Sequence, residues 1–149
     1  MNLKSSIILL LILCYASFSS AQTKPLVSIA DLSKHIGDTI TVNVKIINAV
    51  KESSGETLLL VGKDFPNQTL TIFEFPSDDL YYDPALLKNL DEVRFVGKLV
   101  QDNGHLEIMV TRGTQILLTK KQLAQVTAEQ KIDQAKRQEA LKKAMKVGS

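Results

Sequence analysis

The amino-acid sequence predicts an all-β fold, a small barrel of five strands, followed by a C-terminal α-helix. Two observations lead to this prediction. Short segments in the middle of the chain alternate apolar and polar side chains, which is the pattern of a strand with one buried face. Turns rich in Gly, Asn and Asp separate these segments, whereas residues 119–146 contain no Gly or Pro and are rich in Ala, Gln, Lys and Glu. That last composition is typical of a helix.

The clearest strand spans residues 39–47. Its apolar residues alternate with polar ones, so one face of the strand is predicted to be buried. These apolar residues are all β-branched, which disfavours a helical backbone. We expect the other strands to close against this one. The buried row consists of Ile40, Val42, Val44 and Ile46.

Four further segments show the pattern of strands. The sequence Asp102-Asn103-Gly104 predicts a tight hairpin turn between the last two of them, because Asn and Gly adopt positive φ at little cost. A short additional pairing is expected at residues 116–118. The four strands are predicted at residues 57–61, 69–75, 92–101 and 105–111.

Two short helices are predicted beside the strands. Ser28 can cap a brief helix that runs to Lys34, since its hydroxyl can accept a backbone N–H, and Gly37 ends this helix. Pro84 suits the first position of a second helix that runs to about Asn89. This second helix therefore separates the third strand from the fourth.

The first 21 residues have the pattern of a secretory signal peptide. Lys4 gives a positive start, residues 7–13 are an uninterrupted apolar run, and residues 19–21 are small, as a cleavage site requires. The run is too short to span a bilayer. Cys14 does not fit a bacterial lipidation site, because Leu13 stands where a small residue is expected. We therefore expect a secreted or periplasmic protein whose mature chain has no cysteine and no transmembrane segment.

The charge distribution divides the remaining chain into two parts. Residues 22–118 carry 9 basic and 13 acidic side chains, a net charge of −4, whereas residues 119–149 carry 8 basic and 3 acidic ones, a net charge of +5. We assign the first part to the barrel and the second to a basic helix. The field of a mildly acidic barrel does not favour phosphate. Apolar residues are sparse in the helix, so its second half is expected to be solvated.

Two stretches resemble a known fold. Residues 36–42 read Ile-Gly-Asp-Thr-Ile-Thr-Val, and residues 90–100 read Leu-Asp-Glu-Val-Arg-Phe-Val-Gly-Lys-Leu-Val. Both resemble the opening of a strand in the OB-fold, the oligonucleotide/oligosaccharide-binding fold, and the turn at residues 62–68 resembles that of small secreted bacterial OB-fold proteins. The resemblance covers about residues 28–118 and implies a five-stranded Greek-key barrel with a short helix between strands 3 and 4. Gly97 would let its strand coil around this barrel.

The sequence favours a binding function over an enzyme. The mature chain would have no cysteine, its histidines His35 and His105 are distant in sequence, and the signature motifs of zinc proteases, serine hydrolases and P-loop proteins are absent. Asp78, Asp79 and Asp83 lack the spacing of an EF-hand loop. We therefore predict no catalytic residue, no bound metal and no cofactor.

The OB-fold resemblance implies a ligand surface across the second and third strands and between the loops after strands one and four. Aromatic side chains on such a surface stack on bases or sugar rings, and basic side chains contact phosphates. Phe73 and Phe95 are also expected to help fill a core that lacks tryptophan. The predicted ligand-binding residues are Lys51, Lys63, Phe65, Phe73, Phe75, Arg94 and His105.

Three ligand classes are open from the sequence. The foremost, by resemblance alone, is a single-stranded nucleic acid or another anionic polymer, whose binding should fall steeply with salt. The second is a protein partner that docks through the helix at residues 119–149. The third is an oligosaccharide held by Tyr81, Tyr82 and Phe75, with an affinity nearly independent of salt.

Overall fold

The computed structural model describes residues 24–147, which form one mixed β-sheet, three short 3₁₀ helices and a long α-helix. The signal peptide predicted at residues 1–21 lies outside the described residues. The helices are the 3₁₀ segments Ile29–His35, Pro84–Asn89 and Gly113–Gln115 and the α-helix α1, Lys120–Val147. The strands are β1 (Thr39–Val44), β2 (Ile46–Lys51), β3 (Thr57–Val61), β4 (Leu70–Glu74), β5 (Val93–Asp102), β6 (His105–Val110) and β7 (Ile116–Leu117).

The seven strands form an open sheet with the order β1-β5-β6-β4-β3-β2, and β7 pairs with β5. Strands β4 and β6 are parallel, and the other pairs are antiparallel. The two outer strands of this path, β1 and β2, are consecutive in the chain and are separated only by Lys45. The sheet is therefore barrel-like.

The strand count differs from the five that the sequence predicts. The predicted first strand is divided at Lys45 into β1, which pairs with β5, and β2, which pairs with β3. The short pairing expected near residue 116 is β7. The division has a physical reason. The residues before Lys45 pair with β5 and those after it pair with β3, so the regular hydrogen-bond pattern is interrupted at Lys45, where the chain passes from one partner strand to the other.

The buried row of the first strand is confirmed, since its four apolar residues are at most 3% exposed, but Thr41 on the opposite face is buried as well. Phe95 lies in the core, as predicted, and is the largest fully buried side chain among the described residues. Phe73 is only half-buried on the opposite face of the sheet, so its predicted core position is wrong. Its neighbours in the strand, Ile72 and Glu74, take the interior positions, and the alternation therefore turns Phe73 outward.

The hairpin at residues 102–104 is confirmed, because Asn103 and Gly104 have φ values of 47° and 85°. Gly97 lies where β5 and β6 approach closely. A Cβ at this position would be 2.4 Å from Cγ2 of Ile108 and 2.9 Å from the carbonyl oxygen of Met109. Only glycine allows the two strands to pack at this distance.

The two short helices near their predicted positions are 3₁₀ helices; the second has Pro84 at its first position as predicted, whereas the first lacks its predicted cap. The Asp83 carboxylate accepts a hydrogen bond from the backbone N–H of Ala85 at 3.0 Å, and Pro84 follows it at the first helical position. Ser28 does not cap the first helix with its side chain. Its hydroxyl instead donates a hydrogen bond to the Asp31 carboxylate at 2.9 Å. Such a bond to a charged acceptor is stronger than one between neutral groups.

Thr119 caps helix α1 as predicted, since its hydroxyl accepts a hydrogen bond from the N–H of Gln122 at 3.2 Å. The Gln122 side chain accepts one in return from the N–H of Thr119 at 2.9 Å, which completes a capping box. Val126 is completely buried and anchors the first half of the helix in the core. The side chains at residues 134–146 are all exposed, as the sparse apolar pattern indicates.

Within the described residues, no helix combines the length and the apolar character that crossing a bilayer requires.

Candidate ligand-binding groove

A groove of about 740 Å³ lies on the outer face of the sheet, beside the β2–β3 turn and the end of β5. Its floor consists of side chains from four neighbouring strands, and its rim carries carboxylates. The apolar residues of the groove are Leu58, Phe73, Phe75, Val100 and Met109, and the acidic ones are Glu52, Glu56, Asp102 and Glu107.

Strand register brings the central part of the floor together. Leu58 of β3 lies opposite Phe73 of β4, and Phe73 lies opposite Met109 of β6. Outward-facing residues at matched positions form a continuous row across a sheet, because side chains alternate between its two faces. Val100 of β5 lies opposite Glu107 of β6 and extends the floor toward the rim.

The charge of the groove has one sign, because four of its lining residues are acidic and none is Lys or Arg. Burial raises the pKa of Glu107, the neighbouring Asp102 carboxylate raises it further, and His105 lowers it. A hydrogen bond from Ser54 lowers the pKa of Glu56. Within the described part of the chain, Oε2 of Glu56 is shielded from solvent and accepts no hydrogen bond. The groove therefore offers a ligand four carboxylates, one of which has an oxygen without a hydrogen-bond partner among the described residues.

Two of the seven predicted site residues, Phe73 and Phe75, meet in this groove. The structure places the other five outside its lining. His105 is the nearest of them in register, since it lies opposite Asp102 at the start of β6. Lys51 ends β2 beside a different cavity, with its Nζ atom 3.8 Å from Oδ2 of Asp83.

The remaining predicted residues are spread over other surfaces. Lys63 and Phe65 lie in the turn between β3 and β4, and the Phe65 side chain is 72% exposed. Arg94 is exposed on β5, opposite Asn43 of β1. Of the tyrosines considered for a sugar, Tyr82 is buried in the core and Tyr81 is 83% exposed. These side chains therefore do not form one surface with the groove.

Sequence reasoning missed the rim carboxylates and three apolar residues of the floor, Leu58, Val100 and Met109. The alternation of β6 contained the signal for Met109, because Ile108 and Val110 occupy the interior positions on either side of it. The carboxylates come from a turn, the end of one strand and the middle of another. Only the tertiary fold brings these three segments together.

A second cavity, of about 250 Å³, contains a buried carboxyl group. Glu74 follows Leu70 and Ile72 in the interior row of β4 and is 3% exposed. Burial is the main reason why the pKa of Glu74 is raised to about 7; the Asp83 carboxylate also raises it, while a hydrogen bond with Thr57 and the charge of Lys51 lower it. Burial likewise raises the pKa of Tyr82 to about 12, with a contribution from Glu74.

Within residues 24–147, no group of three or more His, Cys, Asp or Glu side chains is arranged to hold a metal ion. His35 lies near the end of the first 3₁₀ helix, with Nδ1 3.2 Å from Oδ2 of Asp38.

Comparison with known proteins does not assign this chain to a family. No protein-family model and no curated protein sequence matches the chain. Among solved structures, a protein assigned as an aspartyl-tRNA synthetase of Leishmania major Friedlin aligns with 63% of this chain at 9% sequence identity and a TM-score of 0.41. The chain corresponds to only 21% of the length of that protein.

Proposed function

We propose that this chain is a non-catalytic binding domain of the OB type and that its ligand lies in the groove described above. The observation that carries the proposal is the composition of the groove, an apolar floor from four strands with carboxylates on the rim. Concave sites with an apolar floor and a few placed polar groups are the usual form of a ligand-binding site.

The strand topology supports the OB-type interpretation. If β1 and β2 are counted as one bent strand, the path becomes a cylinder of five strands in which the third and fifth are parallel. The 3₁₀ helix Pro84–Asn89 lies between the third and fourth of these strands. OB-folds bind ligands across the second and third strands and between the loops after the first and fourth. In this chain those elements are β3, β4 and the turns that border the groove.

The charge of the groove favours a cationic ligand with apolar groups. A single-stranded nucleic acid, the foremost ligand by resemblance, would bring its phosphates beside four carboxylates and would be repelled by them. Lysine or arginine side chains would be attracted, and their long apolar stems could lie along Phe73 and Phe75. A peptide that combines basic and apolar residues therefore fits the groove best.

The ligand class is tested by fluorescence anisotropy with three labelled probes at two ionic strengths. The probes are a peptide of alternating Lys and Leu, a thymidine oligonucleotide and a neutral oligosaccharide. We expect the peptide to bind, and to bind more weakly at the higher salt, because salt screens charge attraction. Tight, salt-sensitive binding of the oligonucleotide would overturn the charge argument, and salt-independent binding of the oligosaccharide would favour a sugar ligand.

Two matched variants locate the site. Phe75→Ala removes an aromatic ring from the groove and should weaken peptide binding about tenfold, which corresponds to about 1.4 kcal/mol. Phe65→Ala removes an exposed ring outside the groove and should leave the affinity unchanged. Equal effects of the two substitutions would show that the peptide binds elsewhere.

We also propose that the protein is exported, on the basis of the signal-peptide pattern at residues 1–21. Expression of the full chain in a bacterial host, followed by mass determination of the protein from the periplasm and medium, tests this proposal. A mature chain that begins at Gln22 is the expected result. An intact chain that remains in the cytoplasm would contradict it.

A further inference from the structure

We propose that the groove of one copy binds the C-terminal part of helix α1, residues 134–147, from a second copy of this chain. This inference rests on the proposed function, since it names the basic, apolar peptide that the groove accepts. The C-terminal part of α1 is called the tail below.

The first half of α1 is attached to the body of its own copy. Beyond the buried Val126, the side-chain oxygen of Gln130 accepts a hydrogen bond from the N–H of Asp83 at 2.9 Å, and Glu129 accepts one from Asn89 at 2.7 Å. The tail then continues as regular helix with every described side chain from residue 134 to residue 146 exposed.

The tail cannot fold back onto the groove of its own copy without breaking the helix. Residues 119–147 contain no Gly or Pro, and the structure describes one continuous helix from Lys120 to Val147. A helix without such residues has no point of sharp bending. The first turn of the tail still lies beside its own body, since Gln134 and Arg137 line a small cavity with Asp83 and Leu86. The exposed turns that follow can be reached by a second copy.

Charge complementarity argues for this occupant. Residues 136–147 carry five basic side chains and one acidic, a net charge of +4, and the groove carries four carboxylates. Leu141, Ala144 and Met145 follow the i, i+3, i+4 spacing of one helix face, and Leu141 is 63% exposed. Arg137 lies on the same face one turn before Leu141, and Lys142 borders it, so the face combines apolar and basic groups as the groove combines an apolar floor and an acidic rim.

The dimensions of the two surfaces also agree. The floor spans β3, β4, β6 and β5, three strand spacings or about 14 Å. A helical segment of 14 residues, the length of the tail, is about 21 Å long. The tail can therefore cross the whole groove. Because each copy has one tail and one groove, a two-fold arrangement lets each copy bind the tail of the other and closes a dimer.

Sedimentation velocity of the purified chain and of charge-reversed variants tests the inference. The tail-reversed variant carries Lys142→Glu and Lys146→Glu, and the groove-reversed variant carries Glu52→Lys and Asp102→Lys, all at exposed positions. We expect the unchanged chain to dimerise and each variant to dimerise at least tenfold more weakly, because like charges then face each other. The matched control, Lys120→Glu with Lys121→Glu, changes the same charge at the opposite end of α1 and should dimerise normally.

Mixing the two variants gives a sharper test. The groove-reversed copy retains the original tail and the tail-reversed copy retains the original groove, so an equimolar mixture should form a one-to-one complex that neither variant forms alone. A chain that stays monomeric at about 1 mM, or a mixture that does not associate, would overturn the inference.

Peptide binding separates this inference from the proposed function. The tail-reversed variant has a free groove, and it is titrated with a synthetic peptide of residues 134–149 and with the Lys–Leu peptide. We expect both to bind. Binding of the Lys–Leu peptide alone would overturn the inference and leave the proposed function standing, whereas failure of both peptides would overturn both.

Discussion

Glu74 makes the stability of this protein depend on pH, and Glu74→Gln should remove that dependence. The carboxyl group has an ordinary pKa of 4.5 in the unfolded chain and a pKa of about 7 in the folded protein, where burial is the largest cause of the increase. The folded state therefore binds this proton more tightly than the unfolded state. The resulting stabilisation is fully present below pH 4.5 and is lost as the pH rises through about 7.

The size of the effect follows from the difference between the two pKa values. Full conversion of that difference gives an upper bound of about 3 kcal/mol. The side chain borders a cavity that reaches solvent, which partly screens it, so we expect about 1–2 kcal/mol. At pH 8 the Glu74→Gln variant should be more stable than the unchanged protein by this amount, because it avoids a buried negative charge, and at pH 4.5 the two should be nearly equal.

Urea unfolding at a series of pH values between 4.5 and 8, followed by circular dichroism, measures the effect. The difference in unfolding free energy between the two proteins isolates Glu74, since the other titrating groups are common to both. Glu107→Gln is a useful control, because burial also raises the pKa of Glu107 but that side chain is less buried. If Glu74→Gln shifted the free energy equally at every pH, Glu74 would not titrate as argued.

Three further predictions concern the stability of the fold. Gly97→Ala places a Cβ against Ile108 and should cost about 1–3 kcal/mol, measured as a lower denaturation midpoint; an unchanged midpoint would mean that β5 and β6 can separate locally. Phe95→Ala empties the centre of the core and should cost about 3–5 kcal/mol in the same assay, whereas a cost below 1 kcal/mol would contradict its complete burial. Thr119→Ala removes the cap of α1 and should cost about 1 kcal/mol, visible as reduced helical circular dichroism on mild heating; retention of the signal would show that the tertiary contacts of Val126 suffice.

Much of the strand pattern could be predicted from the sequence, because alternation is a local property. Ile40 and Val42 show their buried face within a few residues, and the Asn103-Gly104 turn identifies its hairpin without any distant contact. The division of the first strand at Lys45 could not be predicted in this way. It depends on which strands pair on either side, and those partners lie tens of residues away.

The candidate site was less predictable for the same reason. Phe75 was recognised because an aromatic residue at a strand end is conspicuous. The rim carboxylates, such as Glu52 and Glu107, are ordinary surface residues in their own segments, and their common charge appears only when the segments meet. The alternation after Leu70 and Ile72 implied an interior position for Glu74. A charged residue at the end of a strand is usually exposed, however, so the sequence alone provided no reason to expect a buried carboxyl group there.

The single residue between β1 and β2 has a consequence for how the sheet comes apart. Because Lys45 joins the two outermost strands covalently, neither can peel away without pulling on the other. A backbone cut at this residue would remove that tie, so either outer strand could detach and expose the N–H and C=O groups of the strand it had covered, and such borders recruit other chains. Proteolytic nicking at Lys45 should therefore turn a self-contained sheet into a species that aggregates.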